Sequence, residues 1–297
     1  MASNLKSLTS RAVKSAASLA AIACISAIAA PQANAGTIVN GWNYAVDSFN
    51  DGITSNQLGG RYEFYGIGIK QVGNEVIVGI DSRFDIAGDS GRNIFWGDLF
   101  FNFGGGTMSE GNGDFFAVRF AEDNAAGVTE TGVFSDVTGK FVDKGFNSVA
   151  LHADRVDNRG GDHSVGDLES DDPYFDASYN VINSGTKVGD VTVLDEDDLT
   201  GLGFDLNAVP GAAGQVESST MSGNSSRFGE RQSFGFKFEL PPGMIGEFVA
   251  HIAAECFNDS VAIVGEFIDD SADVPEPSIL LGLAGIAGLG LIRRRHA

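Results

Sequence analysis

SFGFKFEL, residues 233–240, alternates strictly: Phe234, Phe236, Phe238 and Leu240 share one face, and Ser233, Gly235, Lys237 and Glu239 share the other. Side chains along a β-strand point to opposite faces with a period of two, so this stretch reads as an antiparallel strand with one apolar face. Pro241-Pro242-Gly243 ends the run with a turn. Glu247 to Cys256 then alternates again, with Phe248, Ala250, Ile252, Ala254 and Cys256 inward; the same pattern puts His251 on the outward face with Glu247 and Glu255. After an Asn258-Asp259 turn, Val261 to Phe267 makes a third strand. Upstream, Arg61 to Gln71, Glu75 to Ile80, Ile94 to Phe103, Phe115 to Phe120 and Ser148 to His152 also read as strands. Some ten short strands without intervening helices predict an all-β chain, an antiparallel β-sandwich of jelly-roll type. Asp154 to Gly201 is weakly patterned and reads as long loops.

The two ends belong to another kind of chemistry. Lys6, Arg11 and Lys14 precede an apolar run from Ala16 to Ala30, and Ala33-Asn34-Ala35 sets small residues at the −3 and −1 positions of a cleavage site. These are the three zones of a secretion signal, which implies the Sec machinery, signal peptidase and a mature chain starting at Gly36. A retained anchor is disfavoured because the run is short and ends at Pro31, and Cys24 follows only a fair lipobox. At the far end, Pro275-Glu276-Pro277 is followed by SILLGLAGIAGLGLI, residues 278–292, and then by Arg293, Arg294 and Arg295. The apolar stretch is shorter than the ~20 residues that cross a bilayer comfortably, but arginines can snorkel to the headgroups and hold their end in the cytoplasm. Its four glycines weaken the helix, as suits a transient transmembrane-type segment. An amphipathic core helix is excluded by the lack of a polar face.

The order of these elements resembles the PEP-CTERM sorting signal, which implies cleavage near Pro275 by exosortase, a membrane-embedded cysteine transpeptidase of Gram-negative bacteria. It also implies delivery to the outer surface or extracellular matrix. The doublets Asp171-Asp172, Asp197-Asp198 and Asp269-Asp270, with WGDLFFNF (96–103), SDDPYFD (170–176), GTKVGD (185–190) and AECFND (254–259), are similar to a cyanobacterial group of exosortase-dependent surface proteins. That likeness implies a location and no enzymatic activity.

Between the ends, residues 36–270 hold 13 of the 19 Lys and Arg and 38 of the 40 Asp and Glu, about −25 formal charges. Such a body repels nucleic acid and anionic membranes and attracts divalent cations. At 235 residues, without repeat or linker, it reads as one domain. Cys256 is its single thiol, so no internal disulfide forms.

No catalytic constellation stands out. Gly88-Asp89-Ser90-Gly91 matches the tetrapeptide around a serine-protease nucleophile, but the first histidine, His152, comes after it, so a turn is the better reading. Gly66-Ile67-Gly68 lies within a strand and reads as a bend or bulge. His152 and His163 flank Asp154, Asp157 and Asp162 without zinc spacing. Calcium is the favoured ligand, with Asp154, Asp157 and Asp162, or Asp195, Asp197 and Asp198, as candidate donors, and bare solvated loops as the alternative. Trp42, Tyr44, Trp96 and Tyr174 are candidates for an exposed sugar-binding platform. Carboxylate pairs for glycoside hydrolysis arise by chance in so acidic a chain. The reading is a non-enzymatic structural or adhesive surface protein, with exopolysaccharide as a partner; a carbohydrate-binding module, calcium-dependent or not, is the second reading, and a glycan hydrolase or lyase the third.

Overall fold

The computed structural model describes residues 36–55, 57–212 and 229–269. Twelve strands follow in chain order: β1 (Thr37–Val39), β2 (Trp42–Val46), β3 (Phe64–Val72), β4 (Glu75–Ser82), β5 (Leu99–Asn102), β6 (Phe115–Arg119), β7 (Gly132–Lys140), β8 (Val181–Gly189), β9 (Val191–Leu194), β10 (Gln232–Glu239), β11 (Gly246–Ala253) and β12 (Ser260–Phe267). They form two six-stranded sheets, β1-β2-β3-β4-β10-β9 and β12-β11-β5-β6-β7-β8, with antiparallel pairing throughout. This is the expected antiparallel sandwich. Each half begins as a meander, and the chain returns to add β10 beside β4 and β11 beside β5.

The alternation at β10 decides the interior. Phe234, Phe236 and Phe238 enter the cluster between the sheets, where they meet Phe101, Phe120 and Trp96, while Phe248, Ala250, Ile252, Ala254 and Cys256 enter from the facing sheet. Pro241-Pro242-Gly243 makes the predicted turn: Met244 N donates to Pro241 O at 3.1 Å, and Gly243 sits at φ +90, where a side chain would be strained. The Gly66-Ile67-Gly68 stretch adjoins a register shift between Phe64 and Gly66, as expected of a bulge. Gly88 to Gly91 lies in a tight turn, with Asp89 and Ile94 exchanging backbone hydrogen bonds of 2.7 and 3.2 Å.

The structure departs from the sequence reading on the outer faces. Both sheets are roofed. Over the first, Leu199, Phe204 and Leu206 cover Trp42, Tyr44, Tyr65 and Ile77. The ring of Phe204 needs the paired Gly68 and Gly79 beneath it, since a Cβ there would stand 2.9 and 2.5 Å from its atoms. Over the second, Val149, Val165, Leu168 and Tyr174 cover Phe100, Phe115, Phe134 and Ala253.

The roof elements correct three expectations. Ser148 to His152 is no strand: Ser148 accepts from Leu151 N at 3.1 Å and caps a helix that we call α2 (Val149–Asp157), after the short α1 (Met108–Gly111). Asp154 to Gly201 is not loop throughout, for it holds the end of α2, β8, β9 and α3 (Glu196–Gly201). His251 is not a surface residue but is buried, stacked on Phe100 with centroids 5.2 Å apart, and Glu255 is buried as well. Glu247 alone of that trio is exposed.

The burial of His251 has a measurable consequence. Its Nε2 carries the proton donated to Tyr179 O at 3.3 Å, which in the neutral ring leaves Nδ1 to accept from Tyr174 Oη at 2.6 Å. Burial lowers its pKa from 6.5 to about 4. The unfolded chain therefore binds the proton first, and the contribution of this residue to stability is intact above pH 6.5 and lost progressively as pH falls toward 4. By pH 5 the loss should reach ~2 kcal/mol. Urea midpoints at pH 7.5 and 5 should show it as a slope that shrinks in a His251→Gln variant; equal slopes in both proteins would refute the assignment.

Candidate functional site

Eight carboxylates are buried among the described residues, and the fold treats them in two ways. Asp81 pairs with Arg231, Asp89 with Arg92 and Arg61, and Glu255 with Lys144. Asp98 accepts from Asn124 Nδ2 and Ile182 N, both at 2.7 Å, near Arg119. The remaining four, Asp47, Asp51, Glu63 and Asp259, converge on one another at one end of the sandwich.

Local sequence places each of them. Asp47 is the first residue past β2, and Glu63 immediately precedes β3. Asp51 lies in the connection between these strands, and Asp259 occupies the tight turn that joins β11 to β12 in the opposite sheet. Carboxylate oxygens of Asp47, Asp51 and Asp259 lie within 4.8 Å of one another. All four residues are at most 2 % exposed.

Backbone and hydroxyl donors orient them. Glu63 accepts from Gly52 N at 2.8 Å and Asp51 N at 3.3 Å, which curls the β2–β3 connection around it. Asp259 accepts from Ser260 N at 2.8 Å and, across the sandwich, from Phe64 N at 2.7 Å. Asp47 Oδ1 takes Ser164 Oγ at 2.9 Å and Gly166 N at 3.3 Å, and Asp51 Oδ2 takes Ser164 N at 3.4 Å. Asp47 Oδ2 and Asp51 Oδ1 are buried and have no hydrogen-bond partner. His152 donates Nε2–H to Asp51 O at 3.0 Å, and burial lowers its pKa to about 4, so it brings no positive charge at neutral pH.

Burial drives all four upward, and repulsion by neighbouring carboxylates adds to it at Asp51, Glu63 and Asp259: Asp47 rises to about 8, and the other three stand well above the usual carboxylate range. Arg83 eases this at Glu63. Such a site must take up either protons or a cation. It holds oxygen donors alone, the set suited to a hard cation. Its enclosure leaves these four carboxylates out of contact with solvent.

The residues singled out from sequence lie elsewhere. Asp154, Asp157 and Asp162 are exposed on α2 and the chain after it, and Asp157 accepts from His163 Nδ1 at 2.9 Å. Asp195, Asp197 and Asp198 are exposed too, and Asp195 and Asp198 cap α3 reciprocally. Neither triad gathers its carboxylates as the buried cluster does. Trp42, Tyr44, Trp96 and Tyr174 form no exposed platform: all are buried, with Trp42 Nε1 donating to Leu202 O, Trp96 Nε1 to Asp85 O and Tyr174 Oη to His251. Cys256 is the expected inert core thiol, its pKa raised by burial to about 11. Ala33, Ala35, Pro275, Glu276, Pro277, Arg293, Arg294 and Arg295 lie outside the described residues.

The comparison that bears on function concerns that last segment. A family profile described as the PEP-CTERM protein-sorting motif matches residues 273–295. The chain carries an exosortase-sorting tail. It is thus an exported protein, sorted through exosortase to a cell-surface or extracellular location. No curated protein and no solved structure matches the chain.

Proposed function

We propose that the body is a non-enzymatic structural or adhesive component of the bacterial surface or extracellular matrix, with exopolysaccharide as its partner. The observation that carries this reading is the junction of body and sorting motif. The last strand, β12, ends at Phe267 and the motif starts at residue 273, so the new C-terminus that cleavage near Pro275 would leave, and whatever is joined to it, stands only a few residues past the sandwich. The end of that strand is tied to the other sheet. Gln71 Oε1 accepts from Ile268 N at 3.0 Å, and Gln71 Nε2 donates to Ile268 O at 2.7 Å. A load applied at that C-terminus therefore reaches both sheets. The charge of about −25 on residues 36–270 keeps the displayed surface hydrated and open to cation bridging with acidic polymers.

Deleting residues 273–297 tests the reading. Surface labelling of intact cells should fall at least tenfold, and the protein should leave the surface and matrix fraction. Unchanged labelling would refute sorting by this tail. Loss of the whole protein, with adhesion and matrix cohesion unaltered, would refute the structural role while leaving sorting intact.

A further inference from the structure

We propose that Asp47, Asp51 and Asp259, backed by Glu63, bind a divalent cation of the calcium class that ties the two sheets together. Acidic clusters are common on so acidic a protein, and this one differs in its unsatisfied interior oxygens. Asp47 Oδ2 and Asp51 Oδ1 are sealed from solvent without a partner, whereas the described structure pairs Asp81, Asp89, Asp98 and Glu255 with cations or amides. A buried polar atom without a partner is costly, and one next to two further carboxylates more so. Each of these aspartates has its other oxygen held by a Ser or backbone donor, the supporting shell that fixes a metal ligand in place.

The donor chemistry narrows the ion. The cluster holds no thiol or imidazole ligand, since His152 spends its Nε2 on the carbonyl of Asp51. That disfavours zinc and the later transition metals. Magnesium dehydrates reluctantly and keeps several waters, and four carboxylates at most 2 % exposed leave little access for them. Calcium accepts six to eight oxygens in flexible geometry, and one carboxylate can give it one oxygen or two.

The position gives the ion a task. Asp47 and Asp51 come from the first sheet and its β2–β3 connection, and Asp259 from the β11–β12 turn of the second, more than 200 residues further along. Extracellular calcium modules work with Kd values of about 10⁻⁴–10⁻³ M. A site of that strength fills only after export, so the sandwich gains its lock in the compartment where the tail delivers it. The location rests on the sorting motif, but the binding site does not: a failed surface assay would leave the calcium measurements below unaffected.

The test uses the exported protein purified from cells, stripped with a chelator and titrated with CaCl2 or MgCl2. Calcium at about a hundred times its Kd should raise Tm by roughly 5–10 °C, and native mass spectrometry should show one calcium per chain. Asp47→Asn and Asp51→Asn should abolish the calcium response while leaving the stripped protein folded, because an amide, like the protonated carboxyl it replaces, brings no charge into the buried cluster and cannot supply the anionic oxygen that the cation needs. Asp154→Asn and Asp197→Asn should respond like the parent. A stripped protein whose Tm ignores calcium, or which binds none by mass, overturns the proposal and assigns shared protons to the cluster. An equal response to magnesium overturns the calcium-class assignment. If the Asn variants do not fold, the mass and Tm of the parent decide alone.

Discussion

Replacing Glu255 by alanine should destabilise the protein by about 3–5 kcal/mol, the cost of breaking a buried ion pair from one side. Glu255 is fully buried just past the end of β11. Its Oε2 accepts from Lys144 Nζ at 2.6 Å and Phe95 N at 2.9 Å, and its Oε1 from Ala125 N at 2.7 Å. Its backbone is committed as well, with Glu255 N donating to Phe95 O at 3.0 Å and Asn180 Nδ2 donating to Glu255 O at 3.0 Å. One side chain thus joins the β4–β5, β6–β7 and β7–β8 connections. Alanine leaves two amide N–H groups without acceptors and strands an ammonium that is only 18 % exposed. Urea unfolding at neutral pH measures the loss. Glu255→Gln keeps an acceptor oxygen and should cost less than the alanine variant. A loss under about 1 kcal/mol for Glu255→Ala would mean that the connections relax and hydrate the orphaned groups.

The same residue shows what the sequence could and could not disclose. Phe248, Ala250 and Ile252 declare the inner face of β11, continued by Ala254 and Cys256 just past its end, because a strand must bury one side and its period of two marks which. The outer face carries no comparable mark. Once a roof covers it, a histidine or glutamate there is kept by specific partners, Tyr174 for His251 and Lys144 for Glu255, which lie 77 and 111 residues away. Nothing in local alternation records them. Ser148 to His152 reads as a strand from sequence because five residues are too few to separate the two periods, and the capping serine is the signal that favours the helix. The carboxylate cluster was hidden for a related reason. Dense acidic runs such as Asp195 to Asp198 draw attention, yet like charges in sequence repel and stay in water. Asp47, Asp51, Glu63 and Asp259 each sit singly at the end of an apolar strand or in a connection. The legible hint is Asp47, a lone carboxylate directly after Tyr44-Ala45-Val46 with no basic residue close to it in the sequence.

Trp96→Ala should cost about 3–5 kcal/mol, as large-to-small changes in an aromatic core do, and this separates a packing role from the sugar-binding role that its sequence context suggested. Trp96 is fully buried and stacks on Phe64 with centroids 4.4 Å apart and planes 17° apart. Phe84 lies 5.1 Å away, Phe234 meets it edge-on at 5.1 Å, and its Nε1 donates to Asp85 O at 2.9 Å. Its backbone bridges to Ala254 of the second sheet's side while its ring packs on β3 and β10 of the first, so it pins the two sheets across the interior. Alanine opens a cavity among rings that cannot all move inward, and for a chain of this size the Tm should drop by roughly 6–20 °C. Trp96→Phe keeps most of the contact and loses the bond to Asp85, so its loss should be smaller. Trp42→Ala removes a ring from the roof cluster over the first sheet and should leave the contact between sheets intact. Oligosaccharides should change neither the midpoint nor the tryptophan fluorescence of the parent through this residue. If they restored stability to Trp96→Ala, the indole would have to reach solvent, which its stacking between the two sheets does not allow.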